Sequence, residues 1–126
     1  MLWAAVIWVS SSSATAHDPQ SWTALILAAL PPFSHWDKVA HLLAFALLAW
    51  LLRHASRASV TQASRASVAL TCTWGAIDEV HQAFVVGRTA SAGDWLADSM
   101  GALLAIALYN RVAATKTRQY RPGDLP

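Results

Sequence analysis

Long apolar runs, interrupted at a few places by polar clusters, organise this chain. Four stand out: residues 1–9 (MLWAAVIWV), residues 39–52 (VAHLLAFALLAWLL), a third from about 66 to 86 and a fourth from about 95 to 112. A helix that crosses a bilayer needs roughly 20 mostly apolar residues, with about 17 as the lower limit. Extended to its flanks, the second run makes a helix over 37–54, and the third and fourth are long enough as they stand. The first is too short. The pattern predicts an all-α, integral membrane four-helix bundle over residues 1–113, its first helix possibly truncated, and a disordered cytoplasmic tail over 114–126.

The short first run has three readings. The favoured one is the end of a spanning helix that starts upstream of Met1. The others are a secretory signal with ATA at 14–16 as its cleavage site, and a genuine partial span. After it, the Ser/Pro-rich stretch SSSSATAHDPQ reads as loop. The apolar piece Trp22–Leu30 is too short to span and reads as interfacial or re-entrant. The hexamer ASRASV occurs at 55–60 and again at 63–68. One hexamer repeated once is no solenoid, so residues 55–68 read as a linker.

Composition agrees with membrane insertion. The chain of 126 residues is 56% hydrophobic and 13% charged, its mean hydropathy is +0.37, and an ordinary soluble domain is about 25% charged. A single cysteine, Cys72, excludes an internal disulfide framework and any multi-cysteine metal site. It reads as a small buried hydrophobe. The pI of about 9.1 first brings nucleic acid to mind, but the placement of the charges gives a different account. Arg53, Arg57 and Arg65 follow the second run, and Arg111, Lys116, Arg118 and Arg121 follow the fourth. Seven of the nine basic residues therefore share one side of a four-span model, and that side is cytoplasmic. Both termini then lie inside, with Trp22, Trp36 and Trp95 near the outer interface and Tyr109 near the inner one.

The acids show the opposite bias. Asp37 opens the second run, Asp78 and Glu79 lie in the outer half of the third, and Asp94 and Asp98 lie in the first turns of the fourth. Three helices thus bring carboxyls to one depth. Glu79 stands seven residues before Val86, about 10 Å from the expected outer end of its helix. A charge there costs at least about 2.5 kcal/mol unless it faces the bundle or a wet cavity. Glu79 and Gln82 share a helix face, as do Asp78 and His81. Lys38 and Arg88 are the only strong cations at this level. With five acids against two cations, some carboxyls must be protonated, hydrogen-bonded or engaged with a bound cation or cationic group. Ser91 and Asp94 have the spacing of a capping box. Polar residues also link helices in membrane bundles, and Arg88 pairing with Glu79 or Asp94 would hold the outer turn without any further role. Mixed N/O metal ligation by Asp37, His41, Asp78, His81, Asp94 and Asp98 is the minor reading, because no stretch carries a metal signature. There is no G-x-S-x-G nucleophile, Ser91 has no obvious base, and VGRTASAGD is not a P-loop.

DKVAH at 37–41, IDEVHQAFVVGR at 77–88, SAGDWLAD at 91–98 and Gly101 together resemble the VanZ-like family of small bacterial membrane proteins. The family's pattern has D-K-x-x-H opening one helix, E-x-x-Q and an aromatic in the next, a turn Arg, then D-x-x-x-N or D, then Gly. WAAVIWVSSS is similar to the end of the family's first helix and the Ser after it, so the likeness covers roughly residues 3–110. Each motif alone is weak, and their order and spacing are the specific part. Asp98 stands where the family commonly has Asn, the first helix is short, and the loop over 14–35 carries an apolar insertion. The resemblance implies a four-helix membrane domain, whose founding member is associated with low-level teicoplanin resistance.

Carried over by position, the resemblance points to Asp37, Lys38, His41, Glu79, Gln82, Arg88, Asp94 and Asp98 as a ligand-binding or functional cluster, with no catalytic residue assigned. The expected function is that of a multi-pass protein of the bacterial cytoplasmic membrane and cell envelope, non-enzymatic, with no metal or other cofactor. An outer-leaflet polar site would bind an amphiphile: a lipid-linked envelope intermediate or the lipoglycopeptide itself. Lys38 and Arg88 would meet its anionic groups. Membrane lipid is the expected partner and nucleic acid is not. Two alternatives stand beside this: a membrane-embedded enzyme acting on a lipid-linked phosphate, and a structural or proton-relay bundle.

Overall fold

The computed structural model describes residues 2–12 and 35–119, with side chains through Thr115. Among the described residues the chain is all helix, with no strand: α1 (Leu2–Ser12), α2 (Trp36–Ala55), α3 (Val60–Gln82) and α4 (Ala92–Gln119). The segment Trp22–Leu30 and the end of the tail lie outside the described residues.

α2 forms where the sequence is richest in Leu, Ala and Trp. Asp37 sits in its first turn and Arg53 and His54 in its last, each with the charge sign that the helix dipole favours there. A four-residue connection leads into α3, which starts at Val60. This corrects the reading of residues 55–68 as linker, for the second ASRASV lies inside the helix. The reason is local. Ser59 stands at the N-cap, a residue type favoured there, and its hydroxyl donates to Gln62 Oε1 at 3.0 Å across the first turn without bonding a helix N–H.

α3 also ends earlier than its apolar run. Ala83, Phe84 and Val85 donate their N–H groups to Glu79, His81 and Gln82, closing the last turn, and the chain then leaves the helix through Gly87 at φ 82°. Phe84 and Val86 stand outside at 84% and 88% exposure. Glu79 is therefore three residues from the end of its helix, about 4.5 Å, nearer the rim than the sequence implied. α4 runs to Gln119, past the expected start of the tail.

Short connections make α2, α3 and α4 antiparallel neighbours. α2 packs most extensively on α4, α3 packs on both, and α1 lies against α3 and α2. α4 turns a regular stripe inward: Asp94, Ala97, Asp98, Gly101, Ala102, Ala105 and Ile106. Small residues there bring the α2 and α4 backbones together. A Cβ built on Gly101 would overlap the Leu42 carbonyl oxygen. α1 is held by Trp3, whose Nε1–H donates to the Ala44 carbonyl at 2.9 Å, and by Ala4 and Ile7 packed on Phe45 and Leu48.

By length and composition, α2 is the one described helix able to cross a membrane. That is compatible with a membrane protein. α3 and α4 are longer, but their added turns are polar, which departs from the expectation that each qualifies by itself.

Candidate functional site

The antiparallel arrangement gathers the C-terminal ends of α1 and α3 and the N-terminal ends of α2 and α4 at one end of the bundle. Nearly all of the acids singled out in the sequence meet here. Lys38 and His41 are one turn apart on α2, and Asp94 and Asp98 are one turn apart on α4. Lys38 Nζ donates to Asp94 Oδ1 at 2.5 Å, and His41 Nδ1 lies 3.0 Å from Asp98 Oδ1. The two pairs form successive rungs between helices brought close by Gly101. The upper rung is half-open, with Lys38 35% and Asp94 12% exposed. The lower one is closed, with Asp98 fully buried.

Glu79 enters from α3. The Ser91 backbone N–H donates to its Oε2 at 2.6 Å, and the Ser91 hydroxyl accepts the Asp94 N–H at 3.2 Å. The Ser91–Asp94 cap expected from the sequence is therefore half realised. In a complete capping box the N3 acid reaches back to the N-cap N–H. Here Asp94 is committed to Lys38, and Glu79 of the neighbouring helix takes that place.

The second acid of the adjacent pair faces elsewhere. Asp78, 1% exposed, accepts from the Ser11 hydroxyl at 2.5 Å and from Gln82 Nε2 at 2.9 Å. Gln82 thus serves Asp78, where helical spacing had put it beside Glu79. His81, which shares a face with Asp78 by spacing, stacks on Trp8 with ring centroids 4.0 Å apart. Ser11 joins this end of the bundle through its bond to Asp78, a residue outside the cluster named from the sequence. Its only signal there was the serine after the first apolar run.

Two residues from the sequence cluster stand apart. Asp37 reaches Lys38 only at 3.5 Å and is 58% exposed, so it belongs to the rim. Arg88 Nε donates to the Ser11 carbonyl at 3.4 Å, not to Glu79 or Asp94. It caps the C-terminus of α1, where a cation complements the helix dipole. The five acids are thus served unequally. Glu79 Oε1 and Asp98 Oδ2 are buried and accept no hydrogen bond among the described residues. His41, Glu79 and Asp98 offer ligand atoms within 4.8 Å of one another. Chemically, this end can hold a proton or a cation. The Ser91 hydroxyl accepts a backbone N–H at the start of α4.

A family model described as VanZ/LLP1 matches residues 1–113. Neither a curated protein nor a solved structure matches the chain.

Proposed function

The chain belongs to the VanZ/LLP1 family, and from that premise we propose that it is a multi-pass protein of the bacterial cytoplasmic membrane and cell envelope. Both termini face the cytoplasm, and the polar end of its bundle faces outward and binds the head of an amphiphilic or lipid-linked molecule. One observation carries the membrane part. The described residues bury Asp78, Glu79, Gln82, Asp94 and Asp98 while leaving Leu43, Leu70, Leu96, Leu103 and Leu108 between 55% and 61% exposed. Water disfavours such an arrangement on both counts. In lipid, polar groups turn into the bundle and large apolar side chains turn out.

The ligand's chemistry follows from the site and its surroundings. Ala46, Leu47, Trp50, Leu104, Ala105 and Leu108 line an apolar groove between the two helices that carry the rungs, which suits an acyl or isoprenyl chain. The expected roles of Lys38 and Arg88 as anion receptors change: Lys38 is matched by Asp94, and Arg88 is turned to α1. Lys38 exchanging Asp94 for a ligand anion at the half-open rung is the remaining direct route. The family resemblance supports a link to glycopeptide resistance of the teicoplanin type. Native mass spectrometry of protein released from membranes tests the binding. A copurifying lipid should appear with wild type and vanish with Lys38→Ala. The same adducts on both proteins would overturn the reading.

A second reading, a membrane-embedded enzyme acting on a lipid-linked phosphate, draws support from the meeting of His41, Glu79 and Asp98. Under it, turnover of such a substrate in liposomes is lost on Asp94→Asn.

A further inference from the structure

We propose that His41, Glu79 and Asp98 bind a divalent first-row metal ion inside the polar end of the bundle. Glu79 is 7% and Asp98 0% exposed, and each keeps one buried carboxylate oxygen without a donor among the described residues. A buried carboxylate oxygen left so is costly unless something meets it. The charges nearby do not supply that partner. Lys38 is engaged by Asp94 and Asp37, Arg88 reaches the α1 carbonyl end, and Arg53 lies at the opposite end of α2. A cation held by one oxygen of each carboxylate would offset their charge, and the His41 ring would supply a third ligand.

The fold brings the three groups to one place. One ligand atom from each of the three residues lies within 4.8 Å of the others. Ligands of a tetrahedral zinc-sized ion stand about 3.4 Å apart, so a pair at the full 4.8 Å draws in by roughly 1.4 Å on binding. The ligand set is also preorganised. His41 stacks on Phe45, and Ser91 N–H holds the other Glu79 oxygen. On the α3 side, a Cβ on Gly75 would come within 2.9 Å of Asp98 Oδ2, so glycine leaves room for that oxygen. One imidazole nitrogen with two carboxylates suits Zn²⁺, Mn²⁺ or Fe²⁺ better than an all-oxygen ion such as Ca²⁺. Three protein ligands leave positions open for water or for an anionic ligand. The site thus offers a route by which an anion could approach an acidic end of the molecule. The metal site does not depend on the amphiphile proposal, and its test needs no amphiphile.

The test is metal binding by the full chain, stripped with chelator and held in detergent or nanodiscs. Mn²⁺ should bind at one ion per chain, and its electron spin-echo modulation should show a coupled histidine nitrogen. Glu79→Gln and Asp98→Asn should each weaken binding by at least about tenfold, the scale reached even by loss of outer groups around a metal. Asp37→Asn, at the exposed rim, should bind as wild type does. Absence of binding at millimolar Mn²⁺ and Zn²⁺ would overturn the proposal, and so would equal binding by the Glu79 and Asp98 variants. If neither variant yields folded protein, the nitrogen coupling in wild type decides: its presence supports the site and its absence overturns it.

Discussion

At the scale of single residues, the pair Asp78–Glu79 shows how one residue step of a helix, about 100°, separates two carboxyls into different tasks. Asp78 is fully served, by a hydroxyl from α1 and an amide from its own helix. Glu79 is half served, by a backbone N–H at the start of α4. Ser91 and Glu79 together cap α4, one side chain supplied from within and the other across the bundle. Removing each should give different losses. Ser91→Ala removes only the hydroxyl acceptor and should cost about 0.5–2 kcal/mol. Glu79→Ala strands the Ser91 N–H and should cost about 1.5–3 kcal/mol, the range for hydrogen bonds to charged groups. Glu79→Gln keeps an acceptor oxygen and should stay close to wild type. Unfolding by SDS titration ranks the three, and a Ser91→Ala loss larger than that of Glu79→Ala would contradict the shared cap. A second pair probes the α1 contact. Ser11→Ala leaves Asp78 Oδ1 without its donor and should cost about 1–3 kcal/mol, whereas Ser12→Ala, whose hydroxyl is exposed and bonds only Trp8, should cost little.

Among elements, the α2–α4 contact sets the site. The rungs Lys38–Asp94 and His41–Asp98 require backbones close enough for short side chains to meet, and Gly101 permits that approach one turn below Asp98. Gly101→Ala would press a methyl group into the Leu42 carbonyl. Over-packing of this kind costs about 1–3 kcal/mol, and it should open the rungs as well. The expected result is a lower SDS midpoint for Gly101→Ala, with a smaller loss for Ala107→Gly on the exposed face of the same helix. Much of this was readable beforehand. DKVAH and SAGDWLAD put Lys38 and His41 on one helix and Asp94 and Asp98 on another at matching intervals, and helical spacing alone sets those side chains one turn apart. Pairing across helices was less legible. Spacing put Gln82 with Glu79, but i, i+4 geometry and the burial of Asp78 gave it to Asp78. The sequence offers Arg88 either a ligand's anion or the nearby Glu79 and Asp94, whereas the end of α1 gives it the Ser11 carbonyl. The start of α3 is hard to read because its first turns are polar and resemble a linker. The S-x-x-Q at 59–62 was the available signal, and a helix that turns Ala63, Ser67, Thr71 and Gly75 inward has no need of an apolar face there.

For the whole molecule, polarity runs in two directions, radially and along the bundle. Radially, the interior mixes buried polar groups with an apolar core around Phe45 and Leu48, and large apolar side chains stand on the exterior. Along the axis, carboxyls collect at one end. The other end has Arg53 beneath the Tyr109 ring at 4.7 Å, a Ser64–Asn110 hydrogen-bond pair, and Arg57, Arg65 and Arg111 beside it in sequence. The axial division was visible in the sequence because charge placement needs only the order of the runs. The radial one was not, since it depends on which face each helix turns inward. Basic residues near helix ends are retained on the cytoplasmic side, so the two ends define an orientation that can be measured. A reporter active only outside the cytoplasm should be inactive when fused after Arg111 or inserted at Arg57, and active when inserted in the turn at Gly87. Replacing Arg53, Arg57 and Arg65 by neutral residues should weaken this bias and give mixed activity at Gly87. Activity at both Gly87 and Arg57, or at neither, would contradict a bundle that crosses the membrane with its acidic end outward. That orientation would put the cluster around Glu79 at the extracytoplasmic face, where the proposed amphiphile or metal ion would reach it without crossing the bilayer.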